Sequence, residues 1–505
     1  LRSVSLTAKR KLCFTENPGG CDLRTCPYAI GYYDRVKPAV RELLARQRID
    51  RPAIEEVARK HQVCPFELSL DASLWTDVVI GDLNYVFDPT ARLQRHFADA
   101  GKRHVVLVDE AHNLVDRSRE MYSATLSVPE LQTERGAAAG QGVTRARRAL
   151  TDARAALEAL VTRPATSTLP VRDYHDGAVA LTDPPKDFID VLAESARSIE
   201  AYLAQQPPGT DLSAWLEPWF AMQAFLRAAD TYDETCRTIL RPREQSVTLF
   251  CADASARLRA TLDGLRAAIF FSATLSPIEY FRELLGGVET DAGISFPSPF
   301  STDQMHLTVL GYDVTFKGRS TSLPAVAQAV AEHIRSSAGN HLVFTPSLSY
   351  LAAMEGELTT LGVETFAQSS SMDETAREAF LAKFATAGSG VGLAVLGGIF
   401  AEGIDLPGER LMAVTVIGVG LPRLSLERDI LQMHFELTRG AGFDYAYRYP
   451  GMQRVLQAVG RLIRSETDRG SALLIDRRFR ETRYRVLFPE WWTVQRMLAG
   501  DRSTS

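Results

Sequence analysis

The chain has 505 residues, a length that favours several domains, and its 45% hydrophobic and 24% charged content is that of ordinary globular protein. A formal net charge of −5 argues against a molecule that grips nucleic acid over its whole surface, although a groove needs only local positive charge. No apolar run approaches the roughly 20 residues of a membrane-spanning helix, and the opening LRSVSLTAKR has no signal-peptide core, so the expected location is cytoplasmic, with no membrane partner.

Six cysteines are too few for a secreted disulfide scaffold. Four of them, Cys13, Cys21, Cys26 and Cys64, crowd near the start with the spacing C-x7-C-x4-C-x37-C. Helical segments are expected around Val40 to Leu44 and around Ile54 to Arg59, with Pro52 placed near the start of the second. The result is a small lobe closed at its ends by thiolates, which can hold a tetrahedral zinc or an iron–sulfur cluster. Structural zinc sites usually show two short hooks. Here there is one hook and two isolated cysteines, so spacing alone leaves zinc, iron–sulfur and four unrelated cysteines open. Cys236 and Cys251 stand apart and read as small core residues.

Further along, strand-like apolar runs end in polar or glycine-rich turns. Val105 to Val108 leads into Asp109-Glu110-Ala111-His112, where an NTPase needs one carboxylate for Mg²⁺ and a second to activate water. Residues 115–265 are rich in Ala, Leu, Arg and Glu and predict amphipathic helices, broken at Pro184-Pro185 and Pro207-Pro208-Gly209. Ile269 to Phe271 precedes Ser272-Ala273-Thr274, whose hydroxyls either bond the acidic pair or cap the next helix. Further strands are expected at His341 to Phe344, Gly392 to Leu396, Leu411 to Val419 and Ala472 to Ile475. Continuous apolar runs suit parallel strands buried on both faces. Gly397-Gly398 is followed by Ala401-Glu402-Gly403-Ile404-Asp405, in which Gly403 allows close backbone approach and Asp405 can bind a ribose hydroxyl or place an arginine. Gln457, Gly460, Arg461 and Arg464 fall at i, i+3, i+4 and i+7, one face of a helix suited to a triphosphate. The run Arg477, Arg478, Arg480, Arg483, Arg485 is either a local basic groove or a solvated face.

In this order the pieces resemble a superfamily 2 helicase of the XPD/DinG, DEAH-box type, over essentially the whole chain. Asp109 to His112 matches the family's second motif, Phe271 to Leu275 the third and Phe344 to Ser347 the start of the fourth. Glu402 to Asp405 matches the fifth, Gln457 to Arg464 the sixth, and Thr7-Ala8-Lys9 the short motif before the first cysteine. The stretch CPYAIGYYDR gives the likeness to bacterial members. The resemblance implies an α/β fold with two RecA-like parallel-sheet motor domains that bind ATP and Mg²⁺ between them. The first domain would span 1–12, 65–114 and 266–295, interrupted by an Fe–S lobe at 13–64 and a helical arch at 115–265, with the second at 296–505.

It also implies that Cys13, Cys21, Cys26 and Cys64 hold a [4Fe–4S] cluster and that Asp109 binds Mg²⁺ while Glu110 activates water. Arg461 and Arg464 would stabilise the γ-phosphate, with Gln457, Gly403, Asp405, His112, Ser272 and Thr274 around the nucleotide. The substrates would be single-stranded and forked DNA, unwound 5′→3′ by a monomer in repair or replication, with Tyr32, Tyr33, Tyr85 and Phe87 as candidates for stacking on bases.

One departure stands out: no G-x-x-x-x-G-K-[ST] occurs in the sequence. The family carries that loop upstream of Thr7-Ala8-Lys9, so the expectation is an N-terminally truncated chain with an incomplete first sheet that hydrolyses ATP poorly by itself. The alternative is a non-catalytic Fe–S DNA-binding remnant. A nuclease pattern is not found.

Overall fold

The computed structural model describes residues 1–505 apart from 16–20, 22–24, 98–102, 133–141, 164, 170, 173, 175–176, 208–209, 387, 401–405, 407 and 500–505, and for residue 499 the backbone alone. The chain divides into two compact units, Leu1–Ser272 with Glu283–Val288, and Ala273–Arg282 with Glu289–Ser505.

The second unit is built on a seven-stranded parallel sheet. Its order is Phe366–Ala367, Val391–Val395, His341–Thr345, Ala413–Ile417, Gly470–Ile475, Met305–Gly311 and Val494–Ala499. The central strands His341–Thr345 and Ala413–Ile417 are buried at every residue, which is why they read as unbroken apolar runs. Alternation sorts their side chains. Leu342 and Phe344 face a core shared with Val455 and Leu456 of the helix Tyr449–Val459. Val343 faces the opposite core, shared with Val330 and Leu351 from the helices Arg319–Ser336 and Leu348–Thr360. Helices thus cover both faces, and Ser347 caps Leu348–Thr360 by accepting from the Tyr350 N–H at 3.3 Å.

In the first unit the parallel strands fall into two pieces. Ser3–Ser5 lies between Arg48–Ile49 and Val78–Ile80, while Val105–Val108 pairs with Ala267–Phe270. The expectation of burial on both faces fails here: Val105, Leu107 and Ile269 are 53%, 66% and 52% exposed, and Val78–Ile80 is exposed throughout. Val78–Ile80 is an outer strand of its three-stranded sheet, and Val105–Val108 and Ala267–Phe270 form a sheet of two strands.

Beside the three-stranded sheet sits a lobe of the helices Tyr32–Leu44, Arg51–His61 and Pro65–Ser73, packed through Ala39, Leu43, Ile54, Val57 and Leu68. The first starts ahead of the expected Val40. The second starts as expected, with Pro52 in its first turn and Asp50 accepting from the Ala53 N–H at 3.2 Å.

The segment 115–265 is not helical throughout. It contains the helices Val143–Thr162, Lys186–Ala204 and Ser213–Asp230, and also an antiparallel sheet in the order Ala124–Ser127, Ser246–Cys251, Cys236–Arg241, Val179–Leu181. The strands are short, and Ala-rich helical periodicity on either side masks them. Leu150, Leu192, Ile199, Trp215 and Phe225 of the helices bury against Leu240, Val247 and Leu249 of the sheet, each such side chain contributing about 1.5–3 kcal/mol. No helix among the described residues is long and apolar enough to cross a membrane.

Candidate nucleotide site and cysteine lobe

Strands Val105–Val108 and Ala267–Phe270 pair in parallel with Val108 opposite Phe270. The ladder continues past their ends: Phe271 N–H donates to Val108 O at 3.0 Å and Ala111 N–H to Phe271 O at 3.2 Å. Asp109 to His112 and Ser272 therefore leave the sheet at one edge, the carboxyl end, where parallel sheets present polar groups to ligands. There Ser272 Oγ donates to Glu110 Oε2 at 3.0 Å, and His112 Nδ1 lies 2.9 Å from Ser272 Oγ. A serine has one proton to give, so Nδ1 carries the hydrogen of the second bond. The His112 side chain is 6% exposed and that of Glu110 62%, so a buried imidazole backs an open carboxylate.

Glu110 has φ +46°. A non-glycine residue in this left-handed region costs on the order of 1–3 kcal/mol and persists where the surroundings impose it. Part of that support is the Asp109 carboxylate, which accepts from the Glu110 N–H at 2.8 Å. Asp109 and Glu110 are both exposed.

Thr274 behaves differently. It belongs to the second unit and accepts from Gln453 Nε2, so the two hydroxyls read as one motif are held by different units.

The expected common helical face of Gln457, Gly460, Arg461 and Arg464 does not form. The helix Tyr449–Val459 stops at Gly460, which caps it. Gln457 is in its last turn, whereas Arg461 and Arg464 follow in a turn pinned by Asp468, whose carboxylate accepts from the N–H groups of Arg464 at 2.8 Å and Ser465 at 2.9 Å. Burial lowers the Arg464 pKa from its usual value, with Asp468 opposing. Gly403 and Asp405 lie outside the described residues.

Two polar residues on the same helix escaped the sequence reading. Gln453 bonds Thr274, and Arg454 Nη1 donates to Gly420 O at 3.3 Å. The Arg454 chain also passes Gly397, where φ is +77° and a Cβ would stand 2.8 Å from Arg454 Cδ. Their signal was spacing: 453, 454 and 457 repeat at helical intervals on the N-terminal side of Gln457.

The basic run is largely neutralised by local pairing. Arg477 pairs with Asp313 at 3.2 Å, Arg478 with Asp476 at 2.6 Å and Arg483 with Glu481 at 2.6 Å. Of the four aromatic candidates, Phe87 is buried and Tyr32 is buried with its hydroxyl donating to Asp71 Oδ2 at 2.8 Å, so both are core. Tyr85 is half-buried, and Tyr33, at 84% exposure, is open.

None of the four N-terminal cysteines is in a disulfide, and each is partly exposed. A ring contact and a backbone hydrogen bond draw their segments together. Phe14, next to Cys13, packs edge-on against Tyr28 at 5.2 Å, and Tyr28 O accepts from the Cys64 N–H at 2.9 Å. Burial raises the Cys64 pKa, the backbone N–H groups of Glu67 and Phe66 oppose it, and the charges of Glu67 and Cys21 add smaller upward pushes. Among the described residues, no three His, Cys, Asp or Glu side chains converge closely enough to hold a metal ion. The four thiols thus share one lobe without forming a closed ligand set.

Residues 2–131 match the DEAD_2 family, and residues 330–495 match the helicase C-terminal domain family. The chain is 23% identical over 570 residues to the ATP-dependent DNA helicase chl1 of Aspergillus clavatus, covering 97% of this chain and 77% of that protein. It is 24% identical to the ATP-dependent DNA helicase CHL1 of Coccidioides immitis, covering 87% of this chain and 59% of that one. Against the general transcription and DNA repair factor IIH helicase subunit XPD/RAD3 of Saccharomyces cerevisiae it is 25% identical, over 53% of this chain and 38% of that one. These relatives are eukaryotic, so the expected likeness to bacterial members rests on the cysteine-lobe sequence alone. The solved structure XPD_Helicase superposes with a TM-score of 0.61 at 16% identity, covering 99% of this chain and 86% of that one, and XPD_APO with 0.54, covering 99% and 91%. One unit thus carries the DEAD_2 match and the other the helicase C-terminal domain match, on a fold like that of XPD over nearly the whole chain.

Proposed function

We propose that the protein is a motor that couples ATP hydrolysis to 5′→3′ movement on single-stranded DNA and to unwinding of forked DNA, as a monomer, in repair or replication. The observation that carries this reading is the strained Glu110 at the carboxyl end of Val105–Val108, held by Ser272 from the neighbouring parallel strand. In this reading Asp109 binds the Mg²⁺ that accompanies ATP, and that ion supplies charge neutralisation at the phosphates. Glu110 orients the attacking water and takes its proton. Ser272 and His112 hold the Glu110 carboxylate in place. Arg461 and Arg464 stabilise charge on the γ-phosphate, Gln457 assists, and Gly403 and Asp405 take part in nucleotide binding.

Cys13, Cys21, Cys26 and Cys64 would hold a [4Fe–4S] cluster, which would staple a lobe with a small core of its own. The free thiols and the Phe14–Tyr28–Cys64 contacts support this assignment. Iron and acid-labile sulfide assays on anaerobically purified protein test it: about four of each per chain supports the cluster, and about one zinc overturns it.

The absence of G-x-x-x-x-G-K-[ST] from these 505 residues favours a second reading, a DNA-binding protein without turnover. DNA-stimulated phosphate release by the full-length protein and by its Glu110→Gln variant separates the two. Hydrolysis lost in Glu110→Gln with ATP binding retained supports the motor. Undiminished hydrolysis in that variant overturns the role of Glu110. Forked-DNA binding with no hydrolysis by the wild type selects the second reading.

A further inference from the structure

Cys236 and Cys251 have no part in the nucleotide site or the N-terminal lobe. They sit directly opposite each other on the antiparallel strands Cys236–Arg241 and Ser246–Cys251. The Ala252 N–H donates to Thr235 O at 3.0 Å, so the two cysteines form a non-hydrogen-bonded pair, flanked by ladder bonds rather than joined by them. In such pairs the Cα atoms are about 4.5 Å apart and the side chains lean together. That spacing lies within the range a disulfide spans. Both thiols are buried and free.

One guanidinium serves both sulfurs. Arg257 Nη1 lies 3.3 Å from Cys251 Sγ, and Nη2 lies 3.3 Å from Cys236 Sγ. Asp233 pairs with Arg257 at 3.0 Å, and Arg257 also donates to Thr231 O, Thr235 Oγ1 and Asp253 O, so it is fixed without the sulfurs. Tyr122 and Tyr232 close the surroundings. A hydrogen bond from Cys251 pulls Cys236 below the ordinary thiol range, and Arg257 acts in the same direction against burial. The same bond, with burial, pushes Cys251 up. Cys236 is therefore the better nucleophile and Cys251 the resolving thiol.

We propose that Cys236 and Cys251 are an oxidation site: a hydroperoxide converts them to a cross-strand disulfide at the open end of this hairpin, with Arg257 holding the attacking sulfur. In the first step Cys236 sulfur attacks a peroxide oxygen. The S–O bond forms, the O–O bond breaks, and the leaving hydroxide takes a proton and departs as water for hydrogen peroxide. Cys236 sulfur is oxidised to sulfenic acid as the peroxide is reduced. In the second step Cys251 sulfur attacks Cys236 sulfur. The S–S bond forms, the S–O bond breaks, and hydroxide leaves with the Cys251 proton as a second water.

The test is hydrogen peroxide treatment of the folded chain, alkylation, and non-reducing tryptic mapping. The expected product joins the peptides that end at Arg237 and Arg257, two hydrogens lighter than their sum, and disappears on reduction. Arg257→Gln, checked for folding by its melting curve, should form the link about tenfold more slowly. Cys236→Ser should leave Cys251 unmodified, whereas Cys251→Ser should trap Cys236 as a sulfenic acid that a dimedone probe labels. Recovery of both thiols separately alkylated from the folded wild type would overturn the proposal. Linkage only after unfolding, or an unchanged rate in Arg257→Gln, would do the same.

Discussion

Ser272 Oγ and Glu110 Oε2 are 3.0 Å apart although 162 residues separate them in sequence. The parallel register of their strands brings them together, and the buried His112 ring stands behind the serine. If this hydroxyl positions the catalytic carboxylate, Ser272→Ala should lower kcat for ATP by about tenfold, the scale of one lost hydrogen bond to a charged group. KM for ATP should change little, and Ser272→Thr should restore most of the rate. A fall confined to KM, or an Ala variant at wild-type rate, would remove Ser272 from the site.

Asp476 is fully buried at the end of the strand Gly470–Ile475. Its carboxylate takes Arg478 Nη2 at 2.6 Å, Arg478 Nε at 3.0 Å and the Arg478 N–H at 2.8 Å. Removing one partner of such a pair strands the other charge, at a cost of about 3–5 kcal/mol. Asp476→Ala should therefore shift urea unfolding strongly, and Asp476→Ala with Arg478→Met should recover part of the loss. An unshifted midpoint in the single variant would show that the pair carries no stability.

Gly451→Ala tests two opposed effects. Alanine in a helix is favoured over glycine by about 1 kcal/mol. Here, however, a Cβ at 451 would stand 2.6 Å from Val419 O, and backbone cannot rotate aside. Steric conflict wins, so the variant should be less stable than wild type and should displace the loop at Gly420. A melting temperature at or above wild type would mean that the loop yields freely.

The second unit was legible in the sequence because both faces of its sheet are covered. Unbroken apolar runs such as His341–Thr345 and Ala413–Ile417 admit little other reading. The acidic site was legible for a related reason, since Asp109 and Ser272 follow strands directly. Other features depend on three-dimensional detail. The helix carrying Gln457 ends at Gly460, and the turn beyond it owes its shape to Asp468, a side chain outside the motif. The antiparallel sheet around Cys236 and Cys251 was hidden because its strands are short and their surroundings helical. The ion pairs that neutralise Arg477, Arg478 and Arg483 draw on Asp313, Asp476 and Glu481, and that pairing cannot be read from charge runs.

His333 gives the second unit a pH dependence. Its Nδ1 lies 2.9 Å from Thr415 Oγ1 and its Nε2 2.8 Å from Ser471 Oγ, with the His341 ring 5.5 Å away. Burial, then the neighbouring His341 and His306, push its pKa down from 6.5 to about 3, and burial lowers His341 as well. Because the folded pKa is depressed, the unfolded chain binds the proton first. Stability contributed by the neutral ring is complete above pH 6.5 and is lost as pH falls toward about 3. The slope in that window approaches about 1.4 kcal/mol per pH unit for one proton. The measurement is the urea midpoint of the transition that opens the strand Gly470–Ile475, followed by hydrogen exchange from pH 7 to pH 4. The wild type should lose stability steadily on acidification, and His333→Gln, which keeps a hydrogen-bonding side chain but cannot titrate, should flatten the slope. An equal slope in both proteins would place the proton uptake elsewhere and leave His333 a purely structural bridge between the two strands.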